Sequence, residues 1–125
     1  MEFITDTTQS QAIVDLFRAT FTASEGADEG AVIGDFVTAL LSSTPAQDIF
    51  VFSALEGGTV QASAIFTRLR FADDARRAFI LSPMAVATAQ QGKGLGQKLL
   101  HHAFGQLRDT GVDVAFTYGD INFYG

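Results

Sequence analysis

Apolar residues recur along the chain with two periods, which predict alternating strands and helices. Alternation or a short apolar run indicates a strand, and apolar positions three and four residues apart indicate a helix. In chain order the pattern predicts a strand over residues 2–6, a helix from Thr7 or Thr8 to about 23, a helix over about 28–41, strands over 49–55, 60–69 and 78–86, a helix over about 94–110 and a strand over 112–118. The predicted order is therefore β-α-α-β-β-β-α-β.

Polar and glycine-containing segments separate these elements. Residues 24–30 form a polar break between two helices, and residues 71–77 form a charged connection between two strands. Gly57 and Gly58 predict a two-residue hairpin turn, because glycine tolerates the positive φ angles of such a turn. The chain of 125 residues is expected to fold as one domain over residues 1–125.

The strand over residues 78–86 is strongly apolar, and the helix after it is amphipathic. The strand is apolar almost throughout, which predicts that both of its faces are covered. The helix is expected to face the core through one apolar stripe. That stripe consists of Leu95, Leu99, Leu100, Ala103, Phe104 and Leu107.

A glycine-rich turn joins this strand to this helix. Its sequence is Gln91-Gly92-Lys93-Gly94-Leu95-Gly96. Free N–H groups at a helix start attract anions, and glycines let a ligand approach the backbone. The turn therefore predicts a phosphate cradle.

Two common phosphate motifs do not fit this turn. A Walker loop needs Ser or Thr after Gly-Lys, whereas Gly94 follows Lys93 here. The glycine spacing also differs from the dinucleotide-binding fingerprint. A magnesium–nucleotide site is therefore disfavoured.

The pattern Q-x-x-G-x-G, filled by Gln91, Gly94 and Gly96, resembles the acetyl-CoA pyrophosphate loop of the GNAT superfamily of N-acetyltransferases. The resemblance covers residues 79–125 and includes the strand before the loop, the helix and strand after it, and an Asn-Phe-Tyr segment at 122–124. It implies an α/β (α+β) fold with a mixed, mostly antiparallel central sheet flanked by helices.

The resemblance also implies which residues bind acetyl-CoA as co-substrate. Backbone groups of one strand segment would pair with the pantetheine arm, and one of their N–H groups would hold the thioester carbonyl. That segment is Met84, Ala85 and Val86. The pyrophosphate would lie on the loop residues Gln91, Gly92, Lys93, Gly94, Leu95 and Gly96. Asn122 would bond the pantetheine arm or cap the last helix.

Tyr124 is the expected general acid, because the resemblance places a proton-donating tyrosine in this Phe-Tyr context. A phenol stays protonated at neutral pH and can protonate a departing thiolate. Tyr118 is a weaker candidate. No general base is identified: the strand over 81–86 has no acid, Glu56 is expected to lie far from the site, and Asp73 and Asp74 fall in the charged connection.

The function implied is transfer of an acetyl group from acetyl-CoA to a primary amine of a small molecule or a protein. The missing base keeps an alternative open, namely a non-catalytic acyl-CoA-binding regulatory or assembly module. A nucleotide-binding structural domain is a third and less favoured interpretation.

The net charge of the chain and its distribution indicate which classes of partner the chain can bind. The net charge of −6 argues against nucleic acid as a partner. Residues 1–60 carry nine acids and one base, net −8, whereas residues 61–125 carry five acids and seven bases, net +2. The acidic half could present an acidic surface to a cationic acceptor, or its acids could simply keep the surface soluble.

Other classes of site and location are disfavoured by composition. The chain has no cysteine, and His101 and His102 have no clustered acids beside them, so we expect no metal site. No apolar run is long enough to cross a bilayer, so no membrane association is expected. The first residues do not resemble a secretory signal, which makes the cytoplasm the expected compartment.

The order of elements stops short of the superfamily's usual end. The chain ends at Gly125, where the resemblance predicts a further helix and two more strands. We therefore expect a C-terminally truncated domain. If the chain is complete, its last strand has an uncovered edge, which a second copy in a homodimer would be one way to cover.

Overall fold

The computed structural model describes residues 1–71 and 74–116. Short 3₁₀ turns at Ala46–Asp48 and Thr88–Gln90 connect regular elements. The regular elements of the described residues are β1 (Glu2–Thr5), α1 (Ser10–Glu25), α2 (Ala27–Ser43), β2 (Ile49–Glu56), β3 (Thr59–Phe71), β4 (Asp74–Val86), α3 (Leu95–Asp109) and β5 (Val114–Phe116).

The strands form one sheet in the order β1-β2-β3-β4-β5 within the described part of the chain. The pairs β1/β2, β2/β3 and β3/β4 are antiparallel, and β4/β5 is parallel with α3 as its crossover. The hairpin between β2 and β3 turns at Gly57 and Gly58, whose φ angles are +59° and +83°. The predicted mixed, mostly antiparallel sheet and its glycine turn are confirmed.

Helices cover both faces of the sheet and enclose two apolar clusters. Against α3 lie Phe52, Phe66 and Phe79, all fully buried. The stripe predicted for α3 is buried as expected, with Phe104 packed at its edge. Against α1 and α2 lies a second cluster, which includes Ile65 of β3. Burying one such side chain stabilises the fold by about 1.5–3 kcal/mol.

The segment predicted as a charged connection is mostly strand. β4 begins at Asp74, which is paired with Phe71, so Asp74 lies in a strand rather than in a loop; Asp73 lies outside the described residues. Arg77 belongs to β4, where its backbone N–H donates to the Asp113 carboxylate at 2.7 Å and its guanidinium donates to the Thr110 carbonyl at 2.6 Å. Hydrogen bonds and strand pairing thus outweigh the low strand propensity of charged residues.

The ends of α1 also differ from the sequence prediction. Asp6 accepts hydrogen bonds from the backbone N–H and the hydroxyl of Thr8, so this turn precedes the helix and neither threonine caps it. α1 then begins at Ser10. The polar break predicted over 24–30 shrinks to Gly26, whose φ of +103° ends α1 just before α2.

Two glycines of α2 allow it to approach α1 closely. A Cβ on Gly30 would overlap the Thr22 hydroxyl and lie 2.9 Å from the Arg18 carbonyl oxygen. A Cβ on Gly34 would lie 2.8 Å from Arg18 Nε. The backbone carbonyl cannot move aside as a flexible side chain can, so Gly30 sets the separation of the two helices.

We expect Gly30→Ala to lower the free energy of unfolding by about 1–3 kcal/mol, because the added methyl group overpacks the α1–α2 contact. Gly105 offers a matched control, since it is also helical but a Cβ there meets nothing within 4 Å. Gly105→Ala should instead raise stability by about 0.5–1 kcal/mol through helix propensity. Urea unfolding of both variants measures the difference, and a loss of stability no greater for Gly30→Ala than for Gly105→Ala would contradict this account.

Candidate functional site

The glycine-rich turn lies between the end of β4 and the start of α3. Gly92 and Gly94 have φ angles of +79° and +78°, in the left-handed region that favours glycine. Gly94 is the N-cap of α3. A Cβ added at either glycine would point into open space, so their surface is accessible to a ligand.

The backbone N–H groups of this turn are available for binding. The first backbone bond of α3 runs from the Lys98 N–H to the Gly94 carbonyl, at 3.1 Å. Among the described residues, the N–H groups of residues 92–96 have no backbone or side-chain acceptor. Unpaired donors at the positive end of a 15-residue helix form a site that fits a phosphate or pyrophosphate.

A hydrogen bond from the Gln91 side chain links the turn to the strand before it. The amide of this side chain donates to the Val86 carbonyl at 2.9 Å in a partly buried position. This bond spans the 3₁₀ turn Thr88–Gln90 and fixes where the glycines begin. Gln91 is therefore a positioning residue for the loop.

The end of β4 next to the turn has one edge that no described strand covers. Met84, Ala85 and Val86 pair with β3 on one side. On the other side, the described pairing with β5 covers only Ala78–Ile80. Within the described residues, this edge therefore leaves room for an extended ligand, as in strand addition.

A bulge in β4 reshapes the strand just before this edge. Ser82 and Pro83 lie opposite the single residue Ile65, because Leu81 pairs with Phe66 and Met84 with Ala64. Such an insertion bends a strand and changes the direction of its side chains. Pro83 is thus a bulge residue.

A cleft of about 540 Å³ opens along β4 between the sheet and the first two helices. Predicted cofactor residues from the strand and the loop meet there, since Met84, Ala85, Val86 and Gln91 all line it. The sequence pattern did not predict the residues of the opposite wall. That wall consists of Thr20, Phe21, Ser24, Glu25, Ile33 and Phe36.

The basic residues of the second half do not gather at the loop. Arg68 and Arg70 pair with Asp48, with closest N–O distances of 3.8 and 2.9 Å, near the far end of β3. Lys93 lies in the loop and Lys98 in the first turns of α3, and both are exposed. The net charge of +2 for this half therefore does not describe the local field, because the long β3 and β4 carry most of its bases away from the loop.

Glu56 is closer to the loop than expected. The Gln90 side-chain amide lies 3.4 Å from the Glu56 carboxylate, so the hairpin turn after β2 is beside the 3₁₀ turn that leads into the glycines. Antiparallel pairing causes this, because the start of β3 lies beside the end of β4. The prediction that Glu56 is remote was wrong with respect to the loop.

The adjacent histidines of α3 lie outside the cleft lining. His102 stacks on Phe3 with ring centroids 5.2 Å apart and packs edge-on to Phe52, whereas His101 is exposed. In the described ranges, no three His, Cys, Asp or Glu residues form a group that could hold a metal ion. No described helix is both long and apolar enough to span a membrane.

A sequence model of the acetyltransferase (GNAT) family matches residues 10–124. The chain belongs to the GNAT family. Its predicted fold class is confirmed by solved members. A GNAT acetyltransferase of Brucella melitensis, solved with acetyl-CoA, is 25% identical with a TM-score of 0.80, and the match covers 98% of this chain and 78% of that one.

Two further relatives show how far this similarity extends. An uncharacterized N-acetyltransferase of Escherichia coli K12, YjhQ, is 30% identical over 92 residues, which are 72% of this chain and 51% of the relative. The chain thus matches about half the length of this curated relative. An aminoglycoside acetyltransferase from a soil metagenome, solved with sisomicin, shares the fold at 18% identity and a TM-score of 0.70, covering 95% of this chain and 77% of that one.

The predicted site is divided between described residues and the end of the chain. The strand residues and Gln91 line one cleft, and the binding roles of the strand and loop residues stay predictions. Tyr118, Asn122 and Tyr124 lie outside the described residues, so their roles stay predictions. No sequence motif predicts the helical wall of the cleft, because its residues come from two helices that are brought to β4 only by folding.

We expect Gln91→Leu to lower the free energy of unfolding by about 1–2 kcal/mol, since the Val86 carbonyl loses its partner in a partly buried position. The variant should also weaken acetyl-CoA binding, because the loop is no longer fastened to β4. Gln90→Leu is the matched control, as its bond to Glu56 is long and exposed. Urea unfolding and calorimetry of both variants test this, and equal effects would show that the Gln91 bond does not position the loop.

Proposed function

We propose that this GNAT chain transfers an acetyl group from acetyl-CoA to a primary amine. One observation carries the proposal: Gln91, which directly precedes the unpaired N–H groups of residues 92–96, lines one cleft together with Leu81–Val86 of β4. An anion at the loop can therefore be continuous with an extended arm on the strand and a reactive group in the cleft. Family membership and the Brucella relative with acetyl-CoA support this choice of ligand.

The loop and the strand would each hold one part of acetyl-CoA. The N–H groups of residues 92–96 would bind the pyrophosphate, and Lys93 would add charge there. Backbone groups of Met84, Ala85 and Val86 would hold the pantetheine arm and direct the thioester carbonyl. Acetyl-CoA supplies an activated acetyl group, and these residues hold it beside the acceptor.

The reaction then needs the movement of two protons. The amine nitrogen forms a bond to the acetyl carbon while the carbon–sulfur bond breaks, which yields an amide and a thiol. Tyr124 is proposed to protonate the departing sulfur. Leu81–Val86 contains no acid, so the amine's own proton would pass to water, or the amine would bind already neutral.

The absence of an acid from Leu81–Val86 also supports a second candidate function, a non-catalytic acyl-CoA-binding module. Both candidates predict acetyl-CoA binding. They differ in the release of free thiol when an amine is added, which only the transferase produces.

Gly94→Ala should weaken acetyl-CoA binding about tenfold or more, because its Cβ would project into the space above the loop and its φ is unfavourable for alanine. Gly111→Ala introduces comparable strain at a φ of +87° beyond the other end of α3. This control should lose stability but keep its affinity. Calorimetric titration of both variants with acetyl-CoA measures the two affinities. A wild-type chain that binds no acetyl-CoA would overturn the proposed function.

Tyr124→Phe should lower kcat by about 100-fold while leaving the Kd for acetyl-CoA unchanged, since only the proton donor is removed. Tyr118→Phe is the paired comparison and should retain most activity. Thiol release and calorimetry are measured on each variant. Undiminished turnover of Tyr124→Phe would exclude Tyr124 from the mechanism.

A further inference from the structure

The part of the cleft that α1 lines has a distinct chemical character. The last two turns of α1 contribute Thr20, Phe21, Ser24 and Glu25 to its lining. Two pairs lie four residues apart, so each pair forms a row along the helix. One row consists of hydroxyls, and the other places a carboxylate beyond a phenyl ring.

The electrostatics of this part of the cleft favour a cation. Of the described residues that line the cleft, Glu25 alone is charged, and no ion pair within the described chain involves it. It is the last residue of α1, a helix with no basic residue in its last turn, so the negative end of the helix dipole adds to its charge. Asp28 and Glu29 lie in the first turn of α2 and offset the positive end of that helix.

Thr20 provides a second, independent indication of a polar ligand. The residue lines the cleft and is only 9% exposed. Its hydroxyl has no hydrogen-bond partner within residues 1–71 and 74–116. An unpaired hydroxyl that borders a cleft can accept a hydrogen bond from a ligand.

The remaining wall is apolar. Phe21 and Ile33 are half-buried, and Phe36 is 45% exposed although it is a large aromatic residue. These side chains lie beside Glu25 in the lining, so one ligand can contact both kinds of surface. A hydrophobic body attached to one ammonium group matches this arrangement.

We propose that the acceptor is a primary amine with a single positive charge on an aryl or alkyl body. Glu25 binds the ammonium group with help from Thr20, and Phe36 contacts the body. Before transfer the ammonium group loses one proton to water, and the neutral amine then attacks the thioester. The nitrogen loses its second proton to water as the amide forms, while Tyr124 protonates the departing sulfur and recovers its own proton from solvent. An aminoglycoside, which carries several ammonium groups on a polar scaffold, fits poorly in a cleft whose described lining has one carboxylate. The proposal rests on the proposed function, because it describes the acceptor side of the same cleft.

The test compares probes that differ in charge and polarity, using the full chain. Saturation-transfer NMR measures binding of 2-phenylethylamine, its neutral analogue 2-phenylethanol, spermidine and sisomicin, with and without CoA. Thiol release from acetyl-CoA is measured with the same amines. We expect 2-phenylethylamine to bind best and to be acetylated fastest.

Two pairs of variants test the residues. Glu25→Gln should raise the KM for 2-phenylethylamine about fivefold, as expected for an ion pair at an exposed carboxylate, while Glu29→Gln changes it less than about twofold. Phe36→Ala should raise this KM similarly, whereas Val32→Ala, which alters an exposed residue of α2 outside the described lining, should not. All four variants should keep the wild-type Kd for acetyl-CoA. If they do not transfer, the same ratios are read from NMR dissociation constants for the amine.

Amine preference and thiol release are separate measurements, so a wrong acceptor can be told apart from a wrong reaction. Preference for spermidine or sisomicin, or an equal effect of Glu25→Gln and Glu29→Gln, overturns the assigned acceptor while acetyl-CoA binding and transfer still support the enzyme. Amine binding without thiol release supports the assigned ligand and excludes transfer. Absence of 2-phenylethylamine binding to a chain that binds acetyl-CoA also overturns the inference.

Discussion

The antiparallel pairing of β3 with β4 positions the strand and loop parts of the candidate site. It holds the end of β4 in register with the start of β3, with Val86 opposite Ala62. The strand end in turn fixes the loop, because Gln91 bonds to the Val86 carbonyl. The loop fixes the start of α3, which is anchored by leucines buried against the sheet. Loss of this pairing would therefore displace the cleft floor and the anion site together.

The candidate site combines two opposite electrostatic environments. In the loop that follows Gln91, unpaired N–H groups and a helix N-terminus present partial positive charge. In the lining of the cleft, Glu25 and the C-terminal end of α1 present negative charge. An anionic co-substrate would be drawn to the first region and a cationic acceptor to the second.

The described elements show which sequence signals were reliable. The apolar stripe of α3 and the Gly57-Gly58 turn were predicted correctly, because their signals depend on a few neighbouring residues. The charged segment before residue 78 was misassigned, since strand pairing and the bonds of Arg77 to Asp113 and Thr110 stabilise a strand that local composition disfavours. The break before α2 was predicted too long, because Gly26 alone reverses the chain direction.

The sequence by itself determined the order of the elements, the position of the glycine-rich turn before α3 and membership of the GNAT family. These depend on local backbone preferences, in which glycine, helix start and apolar period are read from adjacent residues. Only the tertiary structure decided that Glu56 lies beside the loop, that Arg68 and Arg70 lie far from it, and that Glu25 enters the cleft. Those relations join residues distant in sequence, and they are set by strand register and by the close packing of α1 on α2, which no local pattern encodes.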